Sequence, residues 1–579
     1  MAETFTIISE RVDDIPVLIS QQERMGVTAL LDEHFPTHGN WQGLSLGRVT
    51  VGWLTHILSE ADHRLNHVQS WAEQRQETLS HCLGQAVSAL DFSDDRLEAI
   101  VRALSDDERW EAFEGDLNRH LLRVYDLKPE RVRHDGTTAS GYWSVTPEGL
   151  FQLGHSKAHR PDLPQVKIML SALDPMGLPV ATVVVSGEQA DDPLYVPAIQ
   201  LVQQSLGRRG LLHVGDCKMA ALATRAFVQA SGDYYLCPLS EVQLPPTQLM
   251  AYLAPVWSGE QTLTPVEREQ EDDRLERVAE GFERLEDITA LVEGQTITWT
   301  ERRLVVRSLR HAQAAERALR ARLTKAQADL AALNERGRGK KRFTEVAALQ
   351  QAAEAIVERY RVPDLLRLTF IETTQERPVR RYRDRPATVH IERAVQVMAT
   401  VDETAWQEAV RALGWRVYVT NQPAEQLLLT QAVWAYRSEY LVEHDFGRLK
   451  GHPLSLSPMY VQRDDHATGL IRLLSVGLRV LILLEFEVRR HLEADKAQLT
   501  GLYAGNPKRA TTRPTAERLL EAFQGITLTR IEEPDRIRYH LTPLSQLQQR
   551  ILGLLNFSVG IYAQLSMNSR QLGLKTSEP

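Results

Sequence analysis

At 579 residues with a formal net charge of −9, the chain is too long for one hydrophobic core, and roughly three to four structural units are expected. Its 43% hydrophobic and 25% charged residues are ordinary for a globular protein and exclude a low-complexity polymer. Cys82, Cys217 and Cys237 have no CxxC or Cys/His spacing, which argues against a disulfide framework or zinc site and for a reducing, cytoplasmic compartment. The N-terminus lacks the basic and apolar regions of a signal peptide. Leu470–Phe486 is strongly apolar but contains Arg472 and Arg479, so it is expected to be a buried core helix, with no membrane partner.

In chain order, the first ~120 residues predict helices, with a start at Asp91-Phe-Ser-Asp-Asp-Arg and a helix over Asp106–Arg123. This stretch carries a net charge of about −12, so the remainder is slightly basic. From Val132 the texture changes. Short apolar runs predict strands at Val132–His134, Leu150–Leu153, Val166–Leu173, Val180–Val185, Leu211–Val214 and Tyr234–Pro238. Pro193–Ser205 and Ala220–Ala230 are patterned as helices between them. Strands in a run, then alternating with helices, indicate an α/β class with a mixed sheet.

Pro245–Thr300 is mixed and partly strand, and Glu301–Arg361 predicts a helical hairpin broken at Arg336-Gly-Arg-Gly-Lys-Lys-Arg. Between Glu301 and Glu345 about 13 basic side chains stand against about 5 acidic ones, an excess suited to phosphates, although a solvated surface is the preferred reading of such a run taken alone. Arg377–Arg385 is a second basic cluster. Leu366–Glu372, Thr388–Thr400 and Trp415–Thr420 return to strand texture. Asn421-Gln-Pro423 then opens one long helix, with Asn421 as N-cap, closed by Gly451-His-Pro453.

That helix spaces Tyr436, Glu443 and Lys450 at steps of seven residues, with Glu439 between them. At about 3.6 residues per turn the four share one stripe, chemistry suited to a metal ion and a phosphate. Two more acids end apolar strands: Asp135 in His134-Asp-Gly, and Asp216 in Leu211-Leu-His-Val-Gly-Asp. Taken singly, Asp135-Gly136 reads as a turn, Asp216 as a helix cap and Glu443 as a solvated side chain. Together, carboxylates from two strand ends and a helix are what magnesium-dependent phosphoryl transfer uses. Gly339-Lys340 lacks the flanking residues of a P-loop, which excludes that class of nucleotide hydrolase.

The order Asp135, Asp216, Glu443 resembles the DDE transposases of bacterial insertion sequences, and within them the branch marked by Tyr-x2-Arg-x3-Glu-x6-Lys. Tyr436, Glu443 and Lys450 match that spacing. Glu439 occupies the Arg position, with Arg437 two residues earlier, which points to a sister group of that branch. His134-Asp-Gly-Thr-Thr138, the segment Gly154–Gln165 and Pro36-Thr-His-Gly-Asn40 are similar too, and the resemblance runs from about Asp32 to about Leu484.

The resemblance implies an RNase H-like mixed-sheet core interrupted by a large α+β insertion domain, flanked by a helical N-terminal domain and a helical C-terminal region. The implied segments are 1–125 for DNA binding or assembly, 126–240 and 411–500 for the core, 241–410 for the insertion with its hairpin at 301–361, and 501–579 for the C-terminal region. It further implies that Asp135, Asp216 and Glu443 hold two Mg2+ ions, with Mn2+ as a substitute. Glu439 is the alternative third acid or a supporting group. Lys450 would contact a phosphate near the transposon end and Tyr436 would position that strand. Arg437, Lys157, Arg160, Arg338, Lys340 and Lys341 are further candidate DNA contacts, although the segment His155–Arg160 also reads as a solvated turn. Trp415 suits a strand core better than the base-stacking role that aromatic residues have in some relatives. The implied reaction frees 3′-hydroxyls at the element's ends and joins them to target DNA within a synaptic homodimer on the bacterial nucleoid. An RNase H-like structure-specific nuclease and an inactive, transposase-derived DNA-binding protein are the alternatives.

Overall fold

The computed structural model describes residues 6–157, 159–270, 274–335, 342–380, 388–533, 536–567 and 570–571. The candidate contacts Arg338, Lys340 and Lys341, and most of the Arg377–Arg385 cluster, lie outside the described residues. The protein is mixed α/β. It groups into two compact units, one of Met1–Cys237, Thr289–Trp299 and Ala435–Pro579, the other of Pro238–Ile288 and Thr300–Trp434.

In the first unit five strands neighbour one another in the order Leu178–Ser186, Gln165–Leu173, Arg131–Ser140, Leu212–Val214, Tyr234–Pro238. The first three form an antiparallel meander. The last two join in parallel, and helices Tyr195–Leu206 and Leu222–Ala230 make the crossovers that parallel pairing requires. Gln165–Leu173 is buried at every position, as a strand covered on both faces must be. Helix Asp464–Ala494 is long and apolar enough to cross a membrane, yet 94% of its apolar window is buried inside the protein. Its internal arginines are structural. Arg479 donates to Glu114 at 2.5 Å, to the Pro179 carbonyl at 2.9 Å and to Ser475 Oγ at 3.0 Å. Arg472 donates to the Leu104 carbonyl at 2.9 Å and to Asp107. Each of the three Arg479 nitrogens thus has an acceptor, as a buried charge requires, whereas Arg472 is bonded through its two terminal nitrogens and leaves Nε without a partner among the described residues.

Several expectations need correction. Leu150–Leu153 is not a strand but a loop with one isolated bridge at Gln152, and Phe151 satisfies its apolar character by stacking on Trp143 at 4.2 Å. Asp135-Gly136 is not a turn, because strand Arg131–Ser140 continues through it. The C-terminal region is not wholly helical: Thr527–Glu533 pairs with Arg536–Leu541 and with the N-terminal strand Thr6–Arg11. Strand Thr6–Arg11 is therefore tied to the C-terminal region in one small sheet.

In the second unit, residues expected to begin the helical hairpin instead extend strand Gln295–Ser308, and the helices are Leu309–Ala332 and Val346–Arg359. Strands Leu366–Val379 and Thr388–Val401 pair antiparallel over their whole length. The single long helix expected from Asn421 is in fact two, Leu429–Arg437 and Tyr440–Lys450, preceded by turns over 421–428. At the join the backbone tightens. Glu439 N–H bonds to the Tyr436 carbonyl and Leu441 N–H to that of Ser438, both at 3.1 Å and both three residues back.

Candidate active site

The parallel pairing between Arg131–Ser140 and Leu212–Val214 ends with Arg133 opposite Val214. Two residues further along each chain stand Asp135 and Asp216. Paired strands lie about 4.8 Å apart, so this register delivers the two acids side by side at the carboxyl end of the parallel pair, where open α/β sheets place their sites. Gly215 lets Met219 and Tyr195 pack close to the backbone just before Asp216, since a Cβ there would come within 2.8 Å of Met219 Sδ and 3.0 Å of Tyr195 Cε1.

Asp135 and Asp216 line one small pocket with Tyr436 and Glu439. Its cavity volume of ≈ 10 Å³ is room for about one water or one bare ion. Glu443 is not among the lining residues; it is exposed in the first turn of Tyr440–Lys450. The expectation placed Glu443 with the aspartates, and the break at Ser438–Glu439 brings Glu439 to them instead.

The electrostatics follow from this crowding. Burial pushes the Asp135 carboxyl above its ordinary value, Lys157 and the Gly136 N–H oppose that shift, and the charges of Asp216 and Asp191 add to it. Burial also pushes Glu439 up, reinforced by Asp135, Glu443 and Asp216, while the Tyr436 hydroxyl pulls it down by hydrogen bonding. Asp135 and Glu439 are thus both harder to ionise, first through burial and then through the negative charges around them. Among the described residues no three His, Cys, Asp or Glu side chains are grouped closely enough to hold a metal ion as they stand. The acids share a pocket without converging on one point.

Two lysines flank the first acid. Lys157 Nζ lies 3.6 Å from Asp135 Oδ1 and donates to the Gly136 carbonyl. Lys450 Nζ donates to Thr137 Oγ1 at 2.7 Å. Burial pushes the Lys450 ammonium below its ordinary pKa, Lys157 adds to this, and Asp135 opposes it. The other candidates stand apart. Arg160 is exposed and clamped to Asp162 by bonds of 2.8 and 2.7 Å. Arg437 is half-buried in the last turn of Leu429–Arg437. Trp415, in the second unit, packs against the cluster around Tyr252 and Val417 and donates to the Arg411 carbonyl at 2.9 Å, a core role.

Sequence patterns gave no hint of the groups that hold the acids in place. Tyr195 is buried and donates its hydroxyl to Asp216 Oδ1 at 2.6 Å, where the Lys218 N–H also donates at 2.8 Å. Burial, with the charge of Asp216 next, pushes the Tyr195 phenol well above its ordinary pKa, so it stays a donor. Beneath the pocket His134 bonds to Ser171 Oγ at 2.9 Å and to His213 Nδ1 at 2.8 Å, and His213 Nε2 meets Asp233 at 3.2 Å. With Asp233 as anionic acceptor, His213 donates from Nε2, accepts from His134 Nε2, and leaves His134 Nδ1 to accept from Ser171. This buried chain spans the two acid-bearing strands. Arg133 forms a two-pronged pair with Asp174 at 2.6 and 2.7 Å and also donates to the Ala435 carbonyl, tying the Asp135 strand to the residues just before Tyr436. The only signal for these partners is three-dimensional. The chain matches no protein-family model and no curated protein.

Proposed function

We propose that this protein is a DDE-type DNA transposase that cleaves transposon ends and joins their 3′-hydroxyls to target DNA, acting as a dimer. The observation that carries this reading is the shared pocket of Asp135, Asp216 and Glu439, with Lys157 and Lys450 beside it. Three further features support it. The antiparallel meander extended by two parallel strands suits an RNase H-like core. The acids sit at the carboxyl end of the parallel pair. A separate compact unit is drawn from the chain between the second acid and the third.

The donor set fits Mg2+. All three side chains offer carboxylate oxygen, the ligand this hard cation takes, and their mutual repulsion is what a divalent cation relieves. Asp135, Asp216 and Glu439 would hold it, with Glu439 rather than Glu443 as third ligand. Bound there, the metal supplies charge stabilisation for in-line displacement at phosphorus. Lys450 and Lys157 place positive charge where a DNA phosphate approaches the acids. Tyr436 orients Glu439 by its hydrogen bond, and Tyr195 orients Asp216.

The test is incubation with DNA carrying the element's terminal repeats and Mg2+. Nicks at the repeat ends that vanish with Asp216→Ala are expected. No cleavage, or cleavage indifferent to that change, overturns the assignment.

A further inference from the structure

Lys157 stands between two acids and is closed on neither. Its Nζ lies 3.6 Å from Asp135 Oδ1 and 4.0 Å from Asp191 Oδ2, while donating to the Gly136 carbonyl. A charged hydrogen bond to either carboxylate would be shorter, at about 2.7–2.9 Å. The backbone around the lysine is held. Gln165 Nε2 donates to the His155 carbonyl at 3.1 Å, and the hydroxyl of buried Ser156 accepts from the Arg160 N–H at 3.1 Å. The Lys157 side chain, 37% exposed on its flexible four-carbon stem, is what can move.

The two acids are placed for different work. Asp135 lines the pocket with Asp216 and Glu439, and Asp191 does not. Asp191 has an anchor of its own: Lys167, 6% exposed, donates to its Oδ1 at 2.6 Å and also to the Gln189 carbonyl. That leaves Oδ2 of Asp191 turned to Lys157. The Asp191 charge still reaches the pocket, where it helps to raise the pKa values of Asp135 and of buried Tyr195.

A divalent cation and Lys157 make competing demands on Asp135. Magnesium takes carboxylate oxygen at about 2.0–2.1 Å, so an ion held by Asp135 stands within a few ångströms of the ammonium. Like charges at that range repel strongly in a partly desolvated site. The lysine therefore has to leave Asp135, and a second carboxylate is already within 4.0 Å of it.

We infer that Asp191 is a positioning residue for the metal centre: it draws Lys157 away from Asp135 and so clears that carboxylate for a divalent cation. The inference rests on the reading of Asp135 as a metal ligand. Asp191 itself needs no contact with the metal, because it acts through the lysine. Lys157 stays beside the acids, where its charge serves an approaching phosphate.

The full chain is titrated with Mn2+ by calorimetry, without DNA, as the wild type, Lys157→Met, Asp191→Asn and the double variant. Lys157→Met should bind about tenfold more tightly, since no half-exposed ammonium has to be lifted from a carboxylate and a carbonyl. Asp191→Asn keeps an acceptor for Lys167 but withdraws the charge that attracts Lys157, so it should bind Mn2+ several-fold more weakly. In the double variant the Asn substitution should cost little, because the lysine through which Asp191 acts is gone. Circular dichroism and melting temperature establish that each variant is folded. Affinity unchanged or weakened by Lys157→Met overturns the inference. An equal loss from Asp191→Asn with and without Lys157 also overturns it, since Asp191 would then act on the metal directly. No Mn2+ binding by any of the four proteins overturns the metal centre proposed above, and this inference with it. Cleavage is not measured, so failure of the transposase reaction alone has no bearing on these outcomes.

Discussion

Glu439 and Glu443 differ by one helical turn, and their environments predict opposite behaviour. Glu439→Gln should reduce Mg2+-dependent cleavage by on the order of a thousandfold, the equivalent of losing several kcal/mol of metal-borne stabilisation. Glu443→Gln should cost less than about tenfold, because that side chain is exposed and outside the pocket. The two variants assayed side by side decide the third ligand. A second consequence concerns stability. Glu439 and Asp135 have folded-state pKa values raised above those of the unfolded chain. The folded state therefore holds their protons to higher pH, and stability declines as pH rises from the ordinary glutamate value of 4.5 through the raised one. In EDTA, the melting temperature of Glu439→Gln should exceed that of the wild type by a margin that opens above that pH, and Mg2+ should close the gap by stabilising only the wild type. A margin independent of pH would show that Glu439 is not held against the other charges. Tyr195→Phe removes one hydrogen bond from Asp216 and leaves the ring in place. It should raise the Mg2+ concentration needed for half-maximal cleavage by about 10- to 100-fold, the usual effect of losing a group that orients a metal ligand. Mn2+ binding followed by calorimetry gives the same shift without turnover, and an unchanged affinity would leave Tyr195 a packing residue only.

At the scale of elements, what was legible followed from local chemistry. Gln165–Leu173 and Leu178–Ser186 announce themselves as strands because their β-branched and apolar side chains are buried on a sheet. Asp135 and Asp216 could be paired as candidates because each follows a short strand-patterned segment. Glu439 could not be chosen over Glu443, since helical periodicity presumes an unbroken helix and the break at Ser438–Glu439 depends on two tightened backbone bonds. Tyr195 was hidden for another reason: it lies 21 residues from Asp216 and meets it only after the crossover helix folds back on the sheet. Leu150–Leu153 misled because an apolar run satisfied by one aromatic stack looks, in sequence, like a short strand. Arg479 was read correctly as part of a buried helix but not as its anchor. Helix Asp464–Ala494 meets helix Asp107–Val124 and strand Leu178–Ser186 through that guanidinium, fully buried against Glu114. Arg479→Ala strands the Glu114 carboxylate in the core, and urea denaturation should show a loss of about 3–5 kcal/mol, the cost of breaking a buried ion pair from one side. The double change Arg479→Met with Glu114→Leu should recover most of it, because an apolar pair of similar size removes the unpaired charge.

At the scale of the whole molecule, a net charge of −9 opposes binding to a polyanion, so the DNA affinity that the proposed function requires has to come from how charge is distributed. Helix Leu309–Ala332 shows that distribution within the second unit. Ala312, Leu319, Leu323, Ala326 and Leu330 are its buried residues. At about 100° per residue they fall in one stripe, and Arg310, Arg317 and Lys325 fall within about 80° of one another on the opposite side. All three are exposed. Arg320, by contrast, is held by Glu316 at 3.1 Å and lies over the Trp406 ring, so its charge is partly committed within the unit. A row of cations at about every second turn of a rigid helix offers positive charge to a phosphate backbone along one line, and each phosphate neutralised on duplex DNA contributes about −0.9 to the slope of log affinity against log salt. Replacing Arg310, Arg317 and Lys325 together with Gln should therefore make that slope shallower by about 2.7 units and weaken binding alike for specific and random duplexes. The substitutions touch no buried residue, so the melting temperature should stay within a degree or two of the wild type. Catalysis on prebound DNA at low salt should be unaffected, since none of the three belongs to the unit that carries the acids. An unchanged salt slope would mean that this stripe does not meet DNA and serves only to solvate the helix.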